Sequence, residues 1–118
     1  MKLYHFTCSD AARLIERCGH LLPYPQVQLD GRKLVWFTDL EAPNRATLGL
    51  TSIRLHCDRM EYRVTVDVDA IRWVQYARQF TGRDRRRALS LNEAPGALPL
   101  HWLVLAEPVP VIAVERAR

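Results

Sequence analysis

The strictest hydrophobic–polar alternation in the chain runs through residues 61–68, where Tyr62, Val64, Val66 and Val68 interleave with Glu61, Arg63, Thr65 and Asp67. Such alternation marks a strand with one face on a core and the other toward solvent. The same period opens the chain. In Leu3-Tyr4-His5-Phe6-Thr7, Tyr4 and Phe6 fall on one face and His5 and Thr7 on the other. That parity predicts an aromatic pair anchored in a core and a polar pair looking into a cleft. The period then changes. Ser9 is a good N-cap, Asp10 suits the positive end of a helix dipole, and Ala11, Leu14, Ile15 and Cys18 follow at helical spacing up to Gly19. A helix over 10–18 is predicted, closed by the glycine.

Beyond it, the prolines of His20-Leu21-Leu22-Pro23-Tyr24-Pro25 predict an extended connection. Val27 and Leu29 read as a short strand, Asp30-Gly31 as a hairpin turn, and 33–37 as the returning strand. Residues 39–48, with Pro43 and Asn44, read as a loop or broken turn of helix long enough to cover a ligand. Ile53, Leu55 and Cys57 give 51–57 a weak alternation. Asp69 is placed to cap a second helix over 70–80, its apolar stripe of Ala70, Ile71, Val74 and Ala77 widened by Trp73, Tyr76 and Phe80. Gly82 interrupts it, a surface loop of arginines follows, and 92–100 is loop. Strands over 102–105 and 109–114 meet at the bend Glu107-Pro108-Val109-Pro110. Most of these strands are too close in sequence for parallel crossovers. The expectation is one α+β domain over 1–118, with a split, largely antiparallel sheet of five to six strands and two main helices.

Composition changes this picture little. A chain of 118 residues, 48% hydrophobic and 25% charged, can build a core without staples. No apolar run approaches the ~20 residues of a membrane span. The start lacks the longer apolar stretch of a signal peptide, so a cytoplasmic address is expected. Cys8, Cys18 and Cys57 are expected as reduced thiols. Neither the cysteines nor His5 and His56 have a zinc-site spacing, so no metal is expected. Charge is more informative. Residues 72–87 hold Arg72, Arg78, Arg83, Arg85, Arg86 and Arg87 against Asp84 alone, a local excess larger than the net charge of +4 for the whole chain. The basic character therefore belongs to one surface.

There is no Gly-rich phosphate loop, nucleophile elbow or HExxH motif. What remains is His5-x-Thr7 on the first strand, a helix, and Trp36-Phe37-Thr38 on a later strand. In these residues and in element order the chain resembles the ADP-ribosyltransferase fold. Its His-Tyr-Glu class follows a first-strand His-x-Ser/Thr with a helix, an aromatic-Phe-small-Ser/Thr strand and a glutamate opening a late strand. The RNA 2′-phosphotransferases are relatives with altered triads.

The resemblance implies a small NAD-using mono-ADP-ribosyltransferase-like protein, bacterial or phage-like in compactness, that modifies a macromolecular target, protein or nucleic acid; toxin, inhibitor and housekeeping enzyme all stay open as its role. It implies that His5 donates to a ribose hydroxyl with Thr7 beside it, and that Trp36 replaces the family tyrosine against the nicotinamide ring. Phe37 and Thr38 would then lie against the cofactor. Arg45 and Arg63 are candidates for the pyrophosphate. The third motif departs from the pattern, because the residue opening the late strand is His101, with Glu93 before it and Glu107 after it. An imidazole there suits a general base or a phosphate ligand better than it suits stabilising a cation. The competing class is a non-catalytic module that binds nucleic acid or a host protein through Arg83, Arg85, Arg86 and Arg87.

Overall fold

The structure, a computed structural model, describes residues 1–50 and 58–117. In chain order its elements begin with β1 (Lys2–Thr7) and α1 (Ser9–Cys18), then β2 (His20–Leu21), β3 (Tyr24–Gln26) and β4 (Arg32–Thr38). After these come β5 (Tyr62–Asp67), β6 (Ile71–Arg72), α2 (Trp73–Tyr76) and α3 (Gly82–Ser90). The last are β7 (Trp102–Leu105), β8 (Val109–Pro110) and β9 (Ala113–Arg116). Seven strands form one sheet in the order β6-β7-β4-β1-β5-β9, with β3 also paired to β4, and β2 and β8 make a separate ribbon. Every pairing among the described residues is antiparallel.

The α+β class and the antiparallel sheet are as the pattern predicts; the element count is higher, with nine short strands and three α-helices among the described residues. The sheet is also unevenly joined. β1 follows β5 in continuous register from Lys2↔Asp67 to Thr7↔Tyr62, but meets β4 at a single pair, Tyr4↔Thr38. The β1-β5-β9 blade and the β4-β7-β6 blade are therefore joined in register at one pair only.

Each face carries a core. One gathers Leu3, Val35, Phe37, Val64, Val66, Leu103 and Leu105 beneath Leu21, Val109 and, from α1, Ile15. The other sets Leu34, Trp102 and Val104 against Trp73, Ala77, Phe80 and Ala88, with Trp36 packed beside them. Leu3 decides the parity of the first strand. It is fully buried, and His5 and Thr7 share its face, so the polar pair lies on the core side. Tyr4 and Phe6 look the other way: the Arg63 guanidinium lies 5.3 Å over the Tyr4 ring, and Phe6 lines an open cleft. The expected assignment of faces is thus reversed.

Several boundaries also move. In α1 the inward residue is Ala12, while Leu14 is 64% exposed; Cys8 occupies the N-cap, and Gly19 closes the helix in the left-handed region with its N–H on the Ile15 carbonyl. Val27–Leu29 is a 3-10 turn, and the strand facing β4 across the hairpin is Tyr24–Gln26. The predicted helix over 70–80 breaks into β6, α2 and a 3-10 turn at Ala77–Gln79, because Ile71 and Arg72 pair with β7. Conversely, the arginine stretch expected as a loop is helix α3. The strand expected over 109–114 divides between β8, which pairs with β2, and β9, which pairs with β5. The expectation for 51–57 lies outside the described residues.

Candidate functional site

His5 sits where the two blades part. Its Nδ1 lies 2.8 Å from the Trp36 carbonyl oxygen, so the ring nitrogen donates to a backbone acceptor across the gap. Its ring also meets the edge of Phe37, with centroids 6.5 Å apart. Burial pushes the His5 pKa down, the Trp36 carbonyl opposes that, and the Arg59 charge adds to the depression. The result is a neutral imidazole whose proton is on Nδ1, which leaves Nε2 as a hydrogen-bond acceptor. A neutral His5 fixed in this way offers an acceptor, where the resemblance implies a donor to a ribose hydroxyl. Thr7, two residues on, is buried on the same face.

The second motif is divided by strand parity. Phe37 belongs to the core beside His5, and buried Thr38 takes the Leu40 N–H on its Oγ1 at 3.1 Å, ending the strand. Trp36 points to the opposite face, where its ring lies 4.8 Å from that of Trp73 and 6.0 Å, edge-on, from that of Trp102. What the structure brings to His5 is therefore the carbonyl of Trp36 and not its indole.

At the end of β4 the structure assembles a cluster of three polar side chains, Asp39, Arg72 and His101. Asp39 accepts from Arg72 Nη1 on Oδ2 and pairs with His101 Nδ1 through Oδ1, both at 2.7 Å. The strand register Thr38↔Trp102 and Arg72↔Leu103 brings these three residues to neighbouring strand ends. Asp39 is 20% exposed and its partners 41%, so the carboxylate forms the floor and the guanidinium and imidazole the rim. Burial works against the carboxylate, but the hydrogen bonds and positive charge of Arg72 and His101 outweigh it and hold the Asp39 pKa below the usual range. With Nδ1 occupied by Asp39, His101 has Nε2 available for a proton, the arrangement of an oriented general base. Arg72 also donates to the Leu100 carbonyl at 3.2 Å. It shares a row with Leu103, which faces the same core as Phe37.

Sequence reading found His101 but missed Asp39 and Arg72. The available signal was that Asp39 directly follows Trp36-Phe37-Thr38. Glu107 is exposed beyond the far end of β7 from His101, and Glu93 is exposed in a 3-10 turn; neither meets the Asp39 cluster.

Arg45 and Arg63 lie on the other side of the sheet. They line a cleft of about 350 Å³ with Phe6, Pro43, Met60 and Arg116, and Phe6 pairs in register with Arg63. Both are already held by carboxylates. Arg45 meets Asp58 at 2.7 Å, and Arg63 meets Glu115 at 2.9 Å while donating to the Glu41 carbonyl. The candidates thus fall on two faces: His5, Thr7 and Phe37 on one, Trp36, Arg45 and Arg63 on the other. Arg83, Arg85 and Arg86 are exposed and Arg87 half-buried on α3, with no carboxylate partner among the described residues.

No known family model, curated protein or solved structure matches the chain. Among the described residues no helix is long and apolar enough to cross a membrane, and no three His, Cys, Asp or Glu side chains gather as a metal site requires.

Proposed function

We propose that this chain is a small ADP-ribosyltransferase-like protein that uses NAD and modifies a macromolecule. The observation that carries the reading is the state of His5, a neutral ring at the parting of the two motif strands, held in one tautomer by the Trp36 carbonyl. A neutral acceptor suits a ribose hydroxyl. An imidazolium at that point would oppose the positive charge that develops on the sugar as a glycosidic bond breaks.

The residues on this face fit the sugar and pyrophosphate portions of NAD. His5 and Thr7 offer polar groups, the Arg59 charge reaches His5, and half-exposed Arg72 has guanidinium donors beyond those that Asp39 and Leu100 occupy. NAD supplies an ADP-ribosyl group whose bond to nicotinamide breaks as the nucleophile of the target bonds to the sugar. His5 accepts from the ribose through Nε2, and Asp39 fixes the ring of His101. His101 Nε2 then takes the proton that the nucleophile gives up.

Two measurements test this together: thermal stabilisation by millimolar NAD, and nicotinamide release with candidate protein and nucleic-acid targets added. The expected result is stabilisation that His5→Ala abolishes, and release that Asp39→Asn and His101→Gln slow with NAD binding intact. A protein that neither releases nicotinamide nor gains stability from NAD overturns the proposal.

A further inference from the structure

The arginines of α3 stand where helix energetics disfavour them. Arg83, Arg85 and Arg86 occupy the first half of a helix that runs from Gly82 to Ser90, and Asp84 is the acid in its first turn. The positive end of the macrodipole makes cations unfavourable there, and ordinary helix design places acids in that turn. No carboxylate partner holds these side chains among the described residues, whereas Arg45, Arg63, Arg72 and Arg116 each hold one.

Further cations adjoin the helix. α3 packs against the 3-10 turns at Val27–Leu29 and Ala77–Gln79. The second turn carries exposed Arg78. Arg32 reaches the same turn, donating to Gln79 Oε1 at 3.0 Å with its guanidinium 4.8 Å over the Phe80 ring. This region of the fold thus carries Arg32, Arg78, Arg83, Arg85, Arg86 and Arg87, from parts of the chain separated by up to 55 residues in sequence.

We infer that this surface binds the phosphate backbone of a nucleic acid. Residues 81–87, Thr-Gly-Arg-Asp-Arg-Arg-Arg, contain no apolar side chain. A stable protein interface needs a buried apolar or aromatic anchor at its centre, which this stretch does not offer. A phosphate backbone needs none, since its recognition rests on neutralised charge and released counterions, and the planar guanidinium matches a phosphate in two-point contact. The inference does not require NAD chemistry. If that chemistry holds, it names nucleic acid as the class of target.

The experiment is fluorescence anisotropy of the full chain with a labelled single strand and a labelled duplex, at a series of salt concentrations. An acidic polyglutamate peptide serves as the competing probe. Binding should weaken as salt rises, and the triple variant Arg83→Gln, Arg85→Gln, Arg86→Gln should lose roughly tenfold or more in affinity and about two or three units of log–log salt slope. The variant should melt no lower than the parent, because it removes cations from the unfavourable end of a helix. That separates lost binding from lost folding. Arg13→Gln with Arg17→Gln, on exposed positions of α1, should bind as the parent does. Three outcomes overturn the inference: no binding to either nucleic acid at low salt, unchanged affinity in the α3 variant, or polyglutamate binding as tight as nucleic acid.

Discussion

His5 and Trp36 meet through ring nitrogen and backbone carbonyl, 2.8 Å apart, while the indole of Trp36 packs on the opposite face against Trp73 and Trp102. β1 and β4 share one register pair, so the carbonyl of Trp36 lies beyond the Tyr4↔Thr38 bridge. A side chain takes the part that a strand N–H plays elsewhere in the sheet. One residue thus satisfies a backbone acceptor and presents a nitrogen at the parting of the blades. The bond to the Trp36 carbonyl accounts for a polar ring beside Phe37 in a core.

His5 should make stability depend on pH in a defined window. Its folded pKa lies below the unfolded value of about 6.5, so the unfolded chain binds the proton more readily. The contribution is complete above that unfolded value and is lost as pH falls through the folded pKa. Thermal unfolding should show a lower midpoint at pH 5 than at pH 7.5, and His5→Gln should flatten that difference. His5→Ala should cost about 1–3 kcal/mol at neutral pH, the usual penalty for a buried acceptor left unpaired. An unchanged pH dependence in His5→Gln would assign the effect to another group.

Asp39 acts lower on the pH scale. Its pKa is held below the ordinary carboxylate value, so the stability it gives through Arg72 and His101 is present above about pH 4 and lost as pH falls through its folded pKa. Asp39→Asn keeps the shape and removes the charge. Because both partners are 41% exposed and solvent screens them, the expected loss at neutral pH is about 1–2 kcal/mol. Denaturant titration at pH 7 should show that loss, and the gap between variant and parent should narrow as the pH falls below about 4.

What the sequence made legible follows from how each signal is encoded. The β5 strand was plain because Tyr62 to Asp67 alternates without exception, and Gly19 marked the end of α1 because it takes φ +72. The segment 70–80 misled because its apolar residues satisfy a helical stripe while Ile71 and Arg72 are claimed by β7, through pairs with Val104 and Leu103. Tertiary pairing overrode local pattern there. The facing of the first strand is set by Leu3, fully buried, whose parity carries His5 and Thr7 to the core side against the aromatic signal of Tyr4 and Phe6. At the site, His5 and His101 were visible as single residues. Asp39 became a partner only when β4 and β7 came into register, 62 residues separating the two ends of its bond to His101.

Trp73 offers a test of the helical side of the sheet. It is fully buried, and its indole N–H donates to Asn92 Oδ1 at 2.7 Å, tying α2 to the turn after α3. Trp73→Phe removes the donor and part of the ring, with an expected cost of about 2–4 kcal/mol. Asn92→Ala leaves the ring in place and removes only its acceptor, with an expected cost of about 1–2 kcal/mol. Chemical denaturation of both variants and their combination should show the double loss falling short of the sum, since both remove one shared bond.

Gly49 and Trp102 should be coupled for a steric reason. Gly49 has φ +70, and a Cβ built there would lie 3.3 Å from two atoms of the Trp102 ring. That ring is fixed by its own N–H, which donates to the Thr47 carbonyl at 2.8 Å; the same carbonyl accepts the Leu98 N–H at 3.1 Å. The stretch after β4, anticipated as a cover over a ligand, is therefore pinned at its 3-10 turn, Ala46–Leu48. Gly49→Ala meets two penalties, about 1–2 kcal/mol for a left-handed backbone at an L-residue and a further displacement of the ring. Trp102→Phe shortens the ring and should relieve the second penalty while leaving the first. The thermal midpoint should fall by several degrees in Gly49→Ala, and in the Trp102→Phe background the same substitution should cost less. Equal losses in the two backgrounds would show that the ring yields freely and that the backbone alone requires glycine.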